Sequence, residues 1–294
     1  MDITLSPSPN HDERKHPVDM IVLHYTGMES GEAALARMCD AAAEVSAHYM
    51  IWEDGRVTQL VDEDKRAWHA GVSSWQGDDD LNSRSIGIEI VNGGHDFPLP
   101  DGSLPPYPIP QVHALIELYH DITSRRDIPK SRLVGHSDIA PGRKADPGEH
   151  FPWERLARAG IGHWPQIGGT AQTITGKGLE RGASGSSVWR LQTHLSEIGY
   201  GFDVTDIYGE TCEKVVTAFQ RRWLPDHVTG QADLTTLRRI GAKLRAVINE
   251  RAQAVGSLRD PFAHFDTDGD GVITAAEMAE FEKREARRKA SYRE

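Results

Sequence analysis

The sequence predicts an α/β domain followed by a small all-α domain. Over residues 18–160, short apolar runs bounded by turn-forming residues alternate with segments that carry apolar residues at helical spacing. Such alternation of strands and helices is typical of an α/β domain. Over residues 178–250, every periodic segment has helical spacing. We therefore expect two folded units, joined by a linker over residues 161–177 that is rich in Gly, Thr, Gln and Pro.

Local patterns predict the elements of the first unit. Apolar runs between turn signals are typical of buried strands, and five occur, at 20–25, 48–52, 57–61, 85–91 and 133–136. The Asp54-Gly55 dipeptide predicts a hairpin turn between the second and third runs. Helices are expected over 32–43, which is rich in alanine, and over 110–125, where apolar residues recur at helical spacing. Residues 1–17, with three prolines, are predicted to be an extended arm.

The second unit is predicted to contain three helices. Its apolar residues recur at helical spacing over 188–195, 215–220 and 233–254. A highly charged segment over 275–294 predicts a further helix, exposed to solvent, at the end of the chain.

Composition limits the classes of function. The 294 residues carry 44 acidic and 33 basic side chains, so nucleic acid is not expected as a partner because phosphate binding needs a basic face. No apolar run reaches the ~18 residues of a membrane span. The two cysteines, Cys39 and Cys212, exclude a disulfide framework and are expected to be inert thiols. The N-terminus has neither the basic nor the apolar region of a signal peptide.

A loop over residues 135–148 concentrates reactive side chains. It holds the imidazole of His136, the ammonium of Lys144 and the carboxylate of Asp146 on a segment with two prolines and three glycines. Hydrolytic zinc sites need three protein ligands and an open position. His24, at the end of an apolar run, is a candidate for the third ligand. A histidine at a strand end is more often structural, so both roles stay open for His24 on its own pattern.

Five motifs occur in the order found in a known enzyme family. They are Val22-Leu23-His24-Tyr25-Thr26, Ser46-Ala47-His48-Tyr49, Arg66-Ala67-Trp68-His69-Ala70-Gly71, Asn82-Ser83-Arg84-Ser85-Ile86-Gly87-Ile88-Glu89, and the loop over 135–148. Together they resemble the zinc-dependent N-acetylmuramoyl-L-alanine amidases of type 2, the AmpD- and AmiD-like family, over most of residues 18–155. The resemblance implies a mixed central sheet flanked by helices, a fold shared with peptidoglycan-recognition proteins.

The resemblance also implies roles for individual residues. His24, His136 and Asp146 fall on the zinc ligands. Glu89 falls on the general base toward the zinc-bound water, and Lys144 on the group that stabilises the oxyanion. Zinc lowers the pKa of bound water to ~7, and a carboxylate can then take its proton. The strand pattern alone leaves open a second interpretation of Glu89, a carboxylate that points into solvent.

Four residues are assigned to substrate binding, namely Trp68, His69, Asn82 and Arg84. His69 and Asn82 are expected to line a groove and Arg84 to contact a peptide carboxylate, while Trp68 has packing as its alternative role. His48 is expected to form structural hydrogen bonds, with metal ligation as the alternative.

The second unit, over 178–250, resembles the three-helix peptidoglycan-binding domain. The residues that carry the resemblance lie at 179–192, 195, 199–200, 208–211, 215–220 and 229–233. It departs from the usual pattern at Tyr208-Gly209 and at 212–214. The resemblance implies a domain that holds the enzyme on the wall and raises the local substrate concentration. The alternative is a helical bundle with another purpose.

Residues 266–277 match the calcium loop of the EF-hand at every diagnostic position. The predicted ligands are Asp266, Asp268, Asp270, Val272, Thr274 and Glu277. A single visible loop favours a structural clip over a calcium switch. The tail that contains it spans 258–294.

The sequence therefore predicts a zinc hydrolase that cleaves the amide between N-acetylmuramic acid and L-alanine in peptidoglycan or muropeptides, including 1,6-anhydro forms. A catalytic zinc and a structural calcium ion are the expected cofactors, and a monomer is the expected state. The alternatives are a non-catalytic peptidoglycan-recognition protein and an unrelated zinc peptidase. The lack of a signal peptide favours the cytoplasm, unless export takes another route or a leader lies outside this sequence. The peptidoglycan-binding domain favours the periplasm or cell wall.

Overall fold

The computed structural model describes residues 2–167 and 178–254. The predicted calcium loop, the charged tail over 258–294 and residues 168–177 of the predicted linker lie outside the described residues. Within the described ranges, no helix has both the length and the apolar character needed to cross a membrane.

A mixed sheet of six strands forms the centre of the first unit in the described chain. In spatial order the strands are β1 (Ile3–Leu5), β5 (Val57–Gln59), β4 (Tyr49–Ile51), β7 (Ser85–Ile90), β3 (Met20–Tyr25) and β8 (Leu133–Gly135). Neighbours are parallel except β4 and β5, which form the predicted hairpin. The mixed sheet confirms the α/β prediction for this unit.

The predicted arm is extended, but it belongs to the fold. Its β1 adds to the edge of the central sheet. Farther along, β2 (His11–Glu13) pairs antiparallel with β6 (Lys65–Ala67) in a small second sheet. The sequence pattern missed both pairings because a strand of three residues is too short to show a periodic pattern.

Helices flank the sheet and form the second unit. They are α1 (Gly31–Cys39), α2 (Leu81–Arg84), α3 (Ile109–Arg125), α4 (His136–Ile139), α5 (Trp153–Arg158), α6 (Ser186–Ile198), α7 (Glu210–Trp223) and α8 (Leu234–Ala254). The helix expected over 32–43 ends early at Asp40, whose carboxylate accepts the Ala42 N–H and starts a separate 3-10 turn. At its other end α1 is capped by Ser30, which accepts the Ala33 N–H.

The two faces of the sheet pack against different partners because side chains alternate along a strand. Ile21 and Leu23 lie in the core formed with α3. Met20 and Val22 face the other way, into a cluster that includes Phe219 of α7. The helices of the second unit therefore pack directly on one face of the sheet.

The predicted linker begins inside the folded part of the chain. Ile161 is 1% exposed and belongs to the core beneath α3. Trp164 packs on the cores on both sides of the sheet and stacks on Trp223, with 5.8 Å between ring centroids. Ile161 is therefore part of the core of the first unit, and the half-buried Trp164 lies against both units.

Candidate active site

Three parallel strands bring the predicted site residues to one edge of the sheet. His24 lies near the carboxyl end of β3 and is the register partner of Glu89 on β7. His136 follows β8 directly as the first residue of α4. Asp146 comes from the loop after α4, and its carbonyl accepts the Ser137 N–H at 2.9 Å, which holds the loop against that helix.

The three predicted zinc ligands converge. Asp146 Oδ2 lies 2.9 Å from His24 Nδ1 and 3.1 Å from His136 Nδ1. The two Nδ1 atoms are 3.0 Å apart, and all three residues are buried. Ligands ~2.0 Å from a tetrahedral zinc are ~3.3 Å from one another. The donor set and its spacing therefore fit a zinc ion.

In both histidines the second ring nitrogen, Nε2, has a partner of its own outside the three candidate ligands. The His136 Nε2 lies 3.0 Å from the Ala70 carbonyl oxygen, which can only accept. The His24 Nε2 lies 3.1 Å from His69 Nδ1, and His69 Nε2 lies 3.2 Å from Ser85 Oγ. Because the Ser85 hydroxyl donates to a backbone carbonyl, it accepts from His69, which in turn accepts from His24. In each of the two histidines Nε2 is thus placed to donate, and Nδ1 is the nitrogen that faces the other candidate ligands.

Protonation states also suit metal binding. Burial lowers the pKa of His24 to about 4, and the neighbouring His136 adds to this effect. Burial alone would raise the pKa of the Asp146 carboxyl. The two histidines outweigh burial and hold this pKa well below the usual range. At neutral pH, His24 is therefore neutral and Asp146 ionised, the forms in which these groups bind a metal.

The Glu89 carboxylate lies beside this centre. Its Oε2 is buried and has no hydrogen-bond partner among the described residues. Burial raises the pKa of Glu89 well above its usual value, Asp146 adds to the rise, and Lys144 opposes it. A carboxyl in such surroundings is suited to taking up and releasing a proton. One carboxylate oxygen of Glu89 is thus buried, while the residue as a whole is partly exposed and lies at the wall of a cavity.

A cavity of about 260 Å³ opens beside Glu89. Its walls come from the segment after β3, from α1 and from the chain before β4, and its lining residues are Thr26, Gly27, Met28, Ala34, Arg37, Met38, Val45 and Glu89. Arg37 is the basic residue of this lining. No sequence pattern indicates Arg37, because a lone arginine in an alanine-rich helix gives no sign of what it faces.

Lys144 is exposed on the loop between the two later ligands. Its backbone N–H donates to the Ala140 carbonyl at 3.1 Å, so a tight turn holds the residue. Its charge lowers the pKa of both Glu89 and His24, which places a solvent-accessible cation close to the centre.

The structure puts His69 and Asn82 behind the centre rather than in a groove. His69 is 6% exposed and contacts His24 and Ser85. The Asn82 side-chain oxygen accepts the N–H groups of His69 and Ala70 at 2.9 and 2.7 Å. In the structure His69 therefore supports His24, a candidate ligand, and Asn82 holds the backbone of His69.

Arg84 also differs from expectation, whereas both roles predicted for Trp68 stay predictions. Arg84 is paired with Asp19 at 2.7 Å and with Asp78 at 3.2 Å, which leaves it no free charge for a peptide carboxylate. Trp68 is half-buried, and its indole N–H has no partner in the part of the chain that the structure describes.

His48 has the structural role that was weighed against metal ligation. It is buried, and its Nδ1 accepts the Gly87 N–H at 2.9 Å while Nε2 lies 3.0 Å from the Lys65 carbonyl oxygen. Both nitrogens are thus engaged away from the three ligands.

Two protein families match separate parts of the chain. Residues 14–149 match the N-acetylmuramoyl-L-alanine amidase family, and residues 184–240 match a peptidoglycan-binding domain family. The N-acetylmuramoyl-L-alanine amidase AmiD of Escherichia coli is 36% identical over 227 residues, which cover 74% of this chain and 79% of AmiD. The 1,6-anhydro-N-acetylmuramyl-L-alanine amidase AmpD of Haemophilus influenzae is 37% identical over 168 residues, or 50% of this chain and 86% of AmpD.

Solved structures of relatives match both folded units. The structure of E. coli AmiD with its substrate anhydro-N-acetylmuramic acid-L-Ala-D-gamma-Glu-L-Lys aligns with a TM-score of 0.63 at 32% identity, covering 82% of this chain and 90% of that one. AmpDH3 from Pseudomonas aeruginosa, in complex with an anhydromuramic pentapeptide, aligns with a TM-score of 0.63 at 33% identity, covering 76% and 90%. The chain therefore belongs to the N-acetylmuramoyl-L-alanine amidase family and is an enzyme of that activity.

Proposed function

We propose that this amidase uses one zinc ion to hydrolyse the bond between the lactyl group of anhydro-N-acetylmuramic acid and L-alanine. One observation carries the proposal: His24, His136 and Asp146 present converging donor atoms beside the unpaired carboxylate of Glu89. The anhydro-muropeptides bound by two relatives support the substrate class.

Zinc would be held by His24 Nδ1, His136 Nδ1 and one Asp146 oxygen. When bound, it supplies a Lewis acid that lowers the pKa of water and polarises a carbonyl. The buried, neutral imidazole of His24 and the ionised carboxylate of Asp146 are already in the forms that bind a metal, which supports zinc as the resident metal.

Glu89 is proposed to move the proton. Its carboxylate takes a proton from the attacking water as the oxygen bonds to the lactyl carbonyl carbon. When the C–N bond breaks, the same carboxyl returns that proton to the leaving nitrogen of L-alanine. Burial favours the protonated form and Lys144 favours the ionised form, so the group can serve in both steps.

Lys144 is proposed to stabilise the oxyanion. The amide oxygen gains negative charge in the transition state, and a fixed cation near it is worth more there than in the ground state. Lys144 already acts electrostatically on Glu89 and His24, which supports its place beside the reacting carbonyl.

The cavity beside Glu89 is proposed to take the start of the stem peptide. Apolar groups of Ala34, Met38 and Val45 suit the L-alanine methyl, and Arg37 suits the free carboxylate of a γ-linked glutamate. Because Arg84 is already paired, Arg37 replaces it in this role.

The helical unit is proposed to bind wall polymer, as its family match suggests. We also propose that residues 266–277 bind one calcium ion as a structural clip, on the strength of the sequence pattern alone. The two sites should respond differently to chelators. A chelator with nitrogen or sulfur donor atoms removes zinc and leaves a calcium site built of oxygen ligands largely filled.

Mass analysis of the products tests the proposed reaction. Purified anhydro-muropeptide and intact sacculi are each incubated with the enzyme, with and without a zinc chelator. The masses of the released fragments are then measured by mass spectrometry. We expect free anhydro-N-acetylmuramic acid from the muropeptide, and from either cleaved substrate a peptide that begins with L-alanine, with no product after chelation. A sugar that keeps its alanine would indicate a peptidase, and binding without any product would indicate a recognition protein.

A further inference from the structure

The helical unit covers the face of the sheet that carries the metal centre. Met20 and Val22 of β3 pack into a cluster with residues of α6, α7 and α8. His24 follows them in the same alternation and therefore lies on the same face. The unit assigned to wall binding is thus a direct neighbour of the ligand-bearing strand.

Asp138 links the helical unit to the segment that carries His136 and Asp146. It lies two residues after the ligand His136 and is 1% exposed. Its Oδ2 accepts the Gly135 N–H at 2.9 Å and an Arg222 Nη1–H at 2.6 Å. Its Oδ1 accepts the Tyr200 hydroxyl at 2.7 Å. One carboxylate thus joins the start of α4 to two side chains of the helical unit.

Arg222 of α7 contacts residues of both the first unit and the helical unit. Its Nη2 donates to the Leu133 carbonyl on β8 at 2.8 Å. Its guanidinium lies 4.0 Å from the ring centroid of Trp153 and 4.5 Å from that of Trp223. The side chain is 3% exposed, so removing it would leave Asp138 as a buried charge without its counter-ion.

The same helix touches the ligand loop at two further points. The aliphatic part of Lys214 lies against Gly142, where an added Cβ would come within 2.4 Å of it. The Arg221 Nε lies 3.5 Å from Glu149 Oε2. Since Asp138, Gly142 and Glu149 span the segment that contains Lys144 and Asp146, α7 supports the loop along its length.

We propose that Arg222 and Tyr200 are positioning residues for the zinc centre: through Asp138 they fix α4 and hence the ligand His136. The helical unit then acts on the hydrolysis of soluble fragments, and not solely through attachment to the wall. This rests on the proposed function in one respect, that His136 is a zinc ligand. If the helical unit served only to attach the enzyme to the wall, the zinc affinity would not depend on Arg222.

The test uses full-length variants and three readouts besides activity. We compare Arg222→Met with Arg181→Met, a matched control that removes an arginine from the exposed pair with Glu213 in the same unit. The readouts are the apparent zinc Kd by chelator competition, amide hydrogen exchange over residues 135–146, and pelleting with sacculi.

Arg222→Met should weaken zinc binding by about 10-fold or more, as loss of groups that orient metal ligands does. Exchange at the Gly135 amide should speed up, and kcat on soluble anhydro-muropeptide should fall while KM changes little. Pelleting should be retained, and Arg181→Met should match the wild type in every readout. Arg222→Lys should restore part of the loss, since it keeps the charge but not the two-sided contact.

Wild-type zinc affinity and exchange in Arg222→Met would overturn the proposal and leave the helical unit as an anchor. If Arg222→Met does not fold, Tyr200→Phe decides, because it removes one hydroxyl and should shift zinc affinity and exchange about 3-fold in the same direction. An unchanged Tyr200→Phe would then contradict the proposal. If the wild type binds zinc but releases no alanine-initiated peptide, the proposed reaction fails while the zinc and exchange readouts still judge the positioning role.

Discussion

Gly87→Ala probes the contacts that hold His24, a proposed zinc ligand. A methyl group at this position would lie 2.4 Å from His69 Cγ, whereas ordinary contact begins at 3.4 Å, so the ring must retreat by about 1.0 Å (3.4 − 2.4). The backbone cannot move instead, because Gly87 exchanges hydrogen bonds with His48 through both its N–H and its carbonyl. A 1.0 Å shift of His69 would break its 3.1 Å contact with His24 Nε2.

Overpacking of this kind lowers the free energy of unfolding by roughly 1–3 kcal/mol. Loss of the group that orients a ligand histidine should weaken zinc binding by about 10-fold or more. Urea unfolding of the metal-free protein measures the first effect and chelator competition the second. Gly241→Ala is the matched control: it lies in α8 with nothing within 4 Å of the new methyl, and it should stabilise the protein by about 0.5–1 kcal/mol. A Gly87→Ala protein with wild-type stability and zinc affinity would refute the reasoning.

Three further outcomes follow. Lys144→Met should lower kcat by roughly 10²–10³-fold with zinc content unchanged, because it removes the cation that faces the oxyanion; a parallel loss of zinc content would indicate damage to the loop instead. Arg37→Met should raise KM for a stem peptide with a free glutamate carboxylate and leave KM for the amidated peptide unchanged; equal effects on both would remove Arg37 from the substrate site. Burial and the nearby Arg14 lower the pKa of His48 to about 3, so below pH 6.5 the unfolded chain binds the proton first and stability falls as the pH drops. Urea unfolding of His48→Asn should show this loss reduced by about 1.4 kcal/mol per pH unit between pH 6.5 and 4, and a slope equal to the wild type would contradict it.

Local pattern was enough to predict the strands that carry the ligands. The apolar run before His24 and the one before His136 both became buried parallel strands whose ends meet. Their order in the sheet was not predicted, because periodicity identifies a strand but not its neighbour.

Contacts between residues far apart in the sequence could not be predicted. His69 and Arg84 have the residue types of substrate contacts, but a buried imidazole chain holds one and two aspartates hold the other. The Asp138–Arg222 pair joins residues 84 positions apart across two units, and no spacing rule reports such a pair. Arg37 became a candidate only when the fold placed α1 beside Glu89.

Turnover by Glu89→Gln at saturating zinc tests the proposed chemistry most directly. Glutamine keeps the size of the side chain and cannot take a proton, so kcat on anhydro-muropeptide should fall by roughly 10²–10⁴-fold. The variant should still bind one zinc ion, because Glu89 lies outside the ligand set of His24, His136 and Asp146. A Glu89→Gln enzyme that turns over within a few fold of the wild type would contradict Glu89 as the base and with it the mechanism proposed for this site.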